Sequence, residues 1–318
     1  MYRIAIMIIL LLKCCFSTGQ GKDSILVMFW NLENFFDYID DGTCGSDHEF
    51  SSDGSRRWTS RRFYSKCDMV AKTIFWINDK YGRLPDVIGV AEVENRGVLR
   101  RMLSSTLLRK SDYKIIHHDS GDRRGIDVAM LYRSSSMDTL SVSSRTPQMN
   151  GNEFSTRDLL HAQMCLAGGQ EMNFIVNHHP SKYGGTDKSE ERRKAAMSAL
   201  RDMCDSLGNE NIVAMGDFND NPSAPAFETV SDNLVNKASN LFEEGEGTIR
   251  YEGKWELIDM FLVSHEIDSF SYMEILKIPF LMTRERKHPG EKPLRTYTGP
   301  RYTGGVSDHC PIILKIYF

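Results

Sequence analysis

Polar residues close a series of short apolar runs in this chain, always where a strand would end. Residues 25–30 run into Asn31 and Glu33, 87–91 into Glu92 and Glu94, and 212–216 into Asp217 and Asn219. Residues 173–177 finish with Asn177 and pass into His178 and His179. Asp127 opens the run 128–133, Asp259 sits within 257–263, and Asp308 and His309 precede 310–316. Each run, like 113–117, is strand-length, rich in β-branched or aromatic residues and bounded by polar positions or glycine. A carboxylate inside an apolar strand is costly unless it is paired or binds a metal. A single such acid is most simply a satisfied structural group. Recurrence at equivalent strand ends is poorly explained that way and points to a shared site.

Between the runs lie helical patterns. Residues 61–79 place Phe63, Val70, Ile74 and Ile77 near one stripe. Residues 189–207 do the same with Ala196, Leu200 and Met203, and 98–108 form a shorter candidate. So many strands exceed one open sheet and predict two packed sheets with helices outside. The chain has 318 residues, with no internal repeat and no Pro/Gly/Ser-rich linker. It therefore reads as one large domain over residues 22–318.

The first 19 residues read separately. An early Arg3, an apolar core over 4–12 and small residues at Ser17 and Gly19 make a secretory signal peptide, and the apolar run is too short to span a bilayer. Export as a secreted or periplasmic protein is the expectation, and a lipid anchor through Cys14 or Cys15 is the lesser alternative. Cleavage would leave Cys44, Cys67, Cys165, Cys204 and Cys310. An odd number without CxxC spacing supports neither a zinc site nor a full disulfide framework. Two readings stay open: one bridge, with Cys44–Cys67 the most local pair, or buried free thiols.

The motifs also carry a resemblance across nearly the whole mature chain. Phe29-Trp30-Asn31-Leu32-Glu33-Asn34, Gly89-Val90-Ala91-Glu92-Val93-Glu94-Asn95, Gly125-Ile126-Asp127-Val128-Ala129, Asn177-His178-His179, Gly216-Asp217-Phe218-Asn219-Asp220, Glu256-Leu257-Ile258-Asp259 and Ser307-Asp308-His309 come in order. Together they resemble the endonuclease/exonuclease/phosphatase superfamily, the fold of pancreatic-type deoxyribonuclease, and most of all its secreted bacterial nuclease-like members. The resemblance implies an α+β fold, a four-layer α/β/β/α sandwich with two packed mixed sheets flanked by helices. It also implies phosphoester hydrolysis with one or two divalent ions, Mg²⁺ first and Mn²⁺ or Ca²⁺ as alternatives. The oxygen-rich, thiolate-free set of motif residues suits such hard cations.

By resemblance, Glu92 is the principal metal carboxylate, with Asn31, Glu33 and Asp308 as further candidates, whereas Glu94 is expected at the surface. Asp217 would orient or deprotonate the attacking water, and Asn219 would hold water or a phosphate oxygen. His309 would contact the phosphate with Asp259 fixing its tautomer. His178, in preference to His179, would serve the leaving oxygen. Asn177 and Lys182 are expected against phosphate. Asp127 either orients His178 or is structural.

The substrate is less constrained. The chain has 39 basic and 43 acidic residues, a net charge of −4, so no global positive field grips a polyanion. Local segments differ. Arg56, Arg57, Arg61, Arg62 and Lys66 are interleaved with Trp58, Phe63 and Tyr64, and residues 284–301 combine basic residues with Tyr297. Such segments either grip phosphates and stack bases or are solvated loop charge. A nucleic-acid substrate is the first expectation and a phospholipid or inositol-phosphate headgroup the second. A degenerate, non-catalytic binding protein is a third, disfavoured by the full set of acids and histidines. No stable protein partner is implied, and a monomer is expected.

Overall fold

A computed structural model describes residues 24–182 and 186–318. The expected signal peptide, with Cys14 and Cys15, lies outside the described residues. Two six-stranded mixed sheets pack face to face. The first contains β1 (Ser24–Phe35), β2 (Val87–Val93), β3 (Tyr113–His117), β4 (Asp127–Arg133), β11 (Ser271–Ile275) and β12 (Ile312–Tyr317), in the order β11-β12-β1-β2-β4-β3. The second contains β5 (Met137–Arg145), β6 (Leu159–Leu166), β7 (Glu171–His178), β8 (Ile212–Asp217), β9 (Leu234–Asn236) and β10 (Asp259–Ser264), in the order β9-β10-β8-β7-β6-β5.

Each sheet has one parallel pair, β1 with β2 and β7 with β8. A parallel pair needs a crossover, and each is bridged by a long helix. Helix α1 (Ser60–Tyr81) joins the first pair and α3 (Thr186–Ser206) the second. With α2 (Arg96–Ser105), these helices complete the four-layer α+β sandwich.

Alternation along β1 shows how the layers are specified. Ile25, Val27 and Phe29 pack between the sheets, while Leu26, Met28 and Trp30 face Phe63, Val70 and Ile74 of α1. Both faces are covered, so the strand reads as a continuous apolar run. Gly89 lets the sheets approach, since a Cβ there would lie 2.7 Å from Met215 Sδ.

Strands β5, β6, β9 and β11 were absent from the expected set. Strand β5 is an edge strand exposed along most of its length, so burial imposed no apolar pattern on it. All five described cysteines are free thiols, so the Cys44–Cys67 bridge is not formed. Cys67, on the buried face of α1, packs into the core, and burial pushes its thiol up to about 12.

Candidate active site

Strand register gathers the site. Asp217, the last residue of β8, pairs with His178 on β7 and with Asp259 on β10, so three functional side chains share one row. The first sheet contributes Asn31 on β1, whose Cα partner is Ala91. The register shifts just beyond, between Asn31 and Phe35, and Glu33 and Glu92 take left-handed backbone (φ 47° and 60°). Those irregular turns aim carboxylates across the strand ends rather than into the core.

Asp217 Oδ2 is the meeting point. It accepts a hydrogen bond from Asn31 Nδ2 at 3.0 Å and lies 3.6 Å from His178 Nε2 and 3.8 Å from His309 Nε2. His309 Nδ1 is 2.8 Å from Asp259 Oδ2, the geometry of an imidazole held in one tautomer by a carboxylate. Trp30 Nε1 donates to the His309 carbonyl. The Ser307 hydroxyl donates to the Asn31 carbonyl and accepts from the His309 amide. The turn before β12 is thereby fastened to β1.

Electrostatics separate the groups. Burial raises the Asp217 carboxyl to about 7 against the pull of His309. Burial alone would lower His309, but Asp259, with Asp308 and Asp217, outweighs it and holds the ring well above the ordinary histidine value. Burial, with the arginines at 157 and 124, drives His178 well below that value. One histidine is thus poised as a cation and the other as a neutral ring.

His178 faces the carboxylates, its Nε2 3.9 Å from Glu92 Oε1. His179 instead packs edge-on against Phe218 at 4.9 Å, and both its ring nitrogens lack hydrogen-bond partners. Asn219 follows Asp217 with left-handed backbone (φ 52°), its amide bonded to Asp217 Oδ1 and its Nδ2 to the His179 carbonyl. Lys182 is half exposed, 3.4 Å from Asp220 Oδ1.

Several expected positions differ. Asn177 is fully buried, its Nδ2 donating to the carbonyls of Ile175 and Met215, so it ties strands together beneath the site rather than meeting substrate. Asp127 does not orient His178; its carboxylate accepts from Ser120 and lies 3.2 Å from His117 Nε2. Glu94 is buried, not on the surface, and accepts from the Asp37 amide. Glu33 spends both carboxylate oxygens, one on Arg295 Nε at 2.8 Å and the other on the Thr296 amide at 2.9 Å. Arg295 Nη2 also reaches Asp308 Oδ2 at 3.1 Å, so a guanidinium spans two candidate metal carboxylates. In the first basic segment, Trp58, Phe63 and Lys66 are buried. Lys66 Nζ donates to the Glu33 carbonyl and Thr296 Oγ1.

Sequence reasoning gave no role to Arg124, Arg157 or Ser307 and no individual role to Arg295. Arginine is usually a surface residue, and only three-dimensional convergence distinguishes these. Arg124 Nη2 bonds Asn34 Oδ1 at 2.7 Å and approaches Glu92 Oε2 at 3.6 Å.

The residues present fit a divalent cation. Glu92 Oε2 is held by the Asn34 amide, while Oε1 faces the centre. Asp308 is only partly buried, its Oδ1 3.8 Å from His309 Nε2. Oxygen donors without thiolate suit Mg²⁺-like ions.

Residues 26–317 match the model of the endonuclease/exonuclease/phosphatase family. The chain belongs to that family. Its members are divalent-metal-dependent phosphoesterases, nucleases and phosphatases among them. Solved structures share the fold at low identity. The human Nocturnin catalytic domain with bound sulfate is 13% identical, with TM-score 0.57, covering 93% of this chain and 98% of that one. A mannosyl-6-phosphatase from Bacteroides thetaiotaomicron is 17% identical, with TM-score 0.56, covering 92% and 100%. D. rerio TDP2 complexed with single-strand DNA product is 14% identical, with TM-score 0.54, covering 93% and 100%. No curated protein matches the chain in sequence.

Proposed function

We propose that this protein is an exported, Mg²⁺-dependent phosphodiesterase that acts as a monomer and hydrolyses nucleic acid by in-line attack of water. The observation that carries the reading is the convergence of Asn31, His178 and His309 on Asp217 Oδ2 at the strand ends of both sheets. A divalent ion held by Glu92, with Asn31 and Asp308, would offset charge on the phosphoryl oxygens. Asp217 would orient the attacking water and take its proton. His309, charged and steadied by Asp259, would hold a phosphoryl oxygen, and neutral His178 would serve the leaving oxygen. Asn219 would hold water or phosphate beside Asp217, and Lys182 would contact phosphate.

Arginine-lined clefts on two sides favour a polymeric substrate. On one side Arg56 and Arg295 line a cavity of about 260 Å³ with Tyr297. There the two basic segments lean together, with Arg62 4.3 Å from the Tyr302 ring centre and Arg56 5.3 Å from that of Tyr297. Arg123 and Arg124 line a second cleft. A lipid substrate is less well served. The exposed aromatics Phe270, Tyr272, Tyr317 and Phe318 lie at the end where β1 begins, opposite Asn31, so a membrane docked there would face away from the site.

The test is a panel of plasmid DNA, RNA, sphingomyelin and inositol polyphosphates with Mg²⁺, Mn²⁺ or EDTA. Metal-dependent cleavage of DNA or RNA is expected. Hydrolysis of headgroups without any cleavage of nucleic acid overturns the reading.

A further inference from the structure

We infer that the cavity between Arg124 and Arg192 is a subsite for a second phosphate of the substrate, next to the phosphate being cleaved. The inference rests on the phosphodiesterase reading above and adds what the substrate must carry. The cavity measures about 460 Å³, and four arginines, Arg123, Arg124, Arg157 and Arg192, are among the residues that line it. That volume falls within the roughly 300–1,000 Å³ usual for small-ligand sites.

Charge in the cavity is only partly compensated, since Arg157 pairs with Asp122 and Arg124 approaches Glu92 while no ion pair engages Arg123 or Arg192 among the described residues. Its lining holds two carboxylates, Asp122 and Glu153. Asp122 is already committed, one oxygen accepting from the Arg124 amide and the other lying 3.2 Å from Arg157 Nη1. Arg192 stacks over the Phe154 ring at 5.8 Å, which leaves its charge open.

Two buried polar atoms behind the wall lack partners. Arg157 is more than nine-tenths buried; its Nη2 donates to the His179 carbonyl at 2.6 Å, but its Nε has no partner. The neighbouring Thr156 hydroxyl, 2% exposed, has none either. Buried donors without partners are costly and rare in folded proteins, but these two atoms have no accessible surface, so an anion reaches them only if the wall yields. A phosphate suits the arginine lining, since it accepts from planar guanidinium forks.

Position selects the ligand further. Arg124 forms the near wall and reaches Glu92 and Asn34. Pro180 and Ser181, which follow the histidine pair, form another part of the wall. An anion here would sit one step along the same molecule from the reacting phosphate, as in a polynucleotide.

The experiment uses the mature protein in two arms. In EDTA, inorganic phosphate is titrated by calorimetry into wild type, Arg192→Met, Arg123→Met and Arg157→Lys. Each substitution is expected to weaken phosphate binding about tenfold, the scale of one lost charged hydrogen bond. Binding unchanged in Arg192→Met and Arg123→Met, with native melting curves, overturns the proposal. With Mg²⁺, kcat/KM is compared for bis(p-nitrophenyl) phosphate and a dinucleotide bearing a 5′-phosphate. The preference for the two-phosphate substrate should fall about tenfold in these variants, through KM. Equal losses on both substrates overturn it too. A wild type that hydrolyses no nucleotide would sink the nuclease reading alone, because the calorimetric arm still decides the subsite.

Discussion

Asp217 carries more of the proposed chemistry than any other side chain, and its environment says what its removal should do. Its Oδ2 is shared by Asn31, His178 and His309, while burial keeps its carboxyl near 7, ready to exchange a proton at neutral pH. Asp217→Asn keeps the size and loses the proton acceptor. Turnover on the preferred substrate should drop at least about a hundredfold, the scale of a general acid–base term, and His309→Ala should do the same. Near-wild-type turnover in both variants with intact folding would refute the assignment. A second residue-scale prediction lies away from the site. His161 is buried on β6, its Nε2 2.9 Å from Asn173 Oδ1 and its Nδ1 3.1 Å from Ser143 Oγ. Burial lowers its pKa. The unfolded chain therefore binds a proton at His161 before the folded protein does, and stability falls as pH drops below about 6.5. His161→Gln should flatten that acid limb by up to about 1.4 kcal/mol per pH unit, read from denaturant melts between pH 5 and 7. An unchanged slope would mean that the folded ring accepts the proton as easily as the unfolded one.

Among the elements, β8 is the one whose local sequence the site least tolerates changing. A Cβ on Gly216 would stand 2.4 Å from the Asn177 carbonyl oxygen on β7, whereas a Cβ on Gly89 would meet the mobile end of Met215. Backbone cannot yield as a thioether can. Gly216→Ala should therefore destabilise by about 1–3 kcal/mol, the range for overpacking, and Gly89→Ala by less. Thermal melts of the two variants compare them directly, and the reverse order would show that the β7–β8 seam is softer than its contacts imply. The same contrast explains what the sequence could reveal. Acids and histidines that end apolar strands stood out because hydrophobic periodicity broke at them, so Asp217, Asp259 and His309 were legible before any fold was known. Edge strand β5, polar and exposed, broke no pattern and stayed invisible. Trp58, Phe63 and Lys66 misled for the opposite reason. Their basic and aromatic neighbours imitate a binding loop, yet α1 turns Phe63 and Lys66 inward and Trp58 is anchored by the Phe36 carbonyl.

At the scale of the molecule, the site exists only when both sheets are in place. Asn31 and Glu92 come from the first sheet, Asp217 and Asp259 from the second, and Asp308 from the turn before β12. In the unfolded chain these oxygens are far apart in sequence and have no preformed geometry, so a divalent ion binds the folded state selectively. Binding then adds RT ln(1 + [L]/Kd) to stability, about 2.7 kcal/mol at a hundred times Kd. Mg²⁺ should raise the melting temperature of wild type, and EDTA should reverse the rise while abolishing turnover. The variants localise the effect. Glu92→Gln should lose most of the Mg²⁺-dependent shift. Asp217→Asn, which removes the proposed base, should keep it while losing turnover. A shift that survives Glu92→Gln but vanishes in Asp217→Asn would move the ion to the second sheet. The net charge of −4 bears on this directly, because mutual repulsion among converging carboxylates is relieved when a cation binds. Arg295 already relieves part of it between Glu33 and Asp308. Arg295→Met should accordingly enlarge the Mg²⁺-dependent shift, since more negative charge would then await the ion.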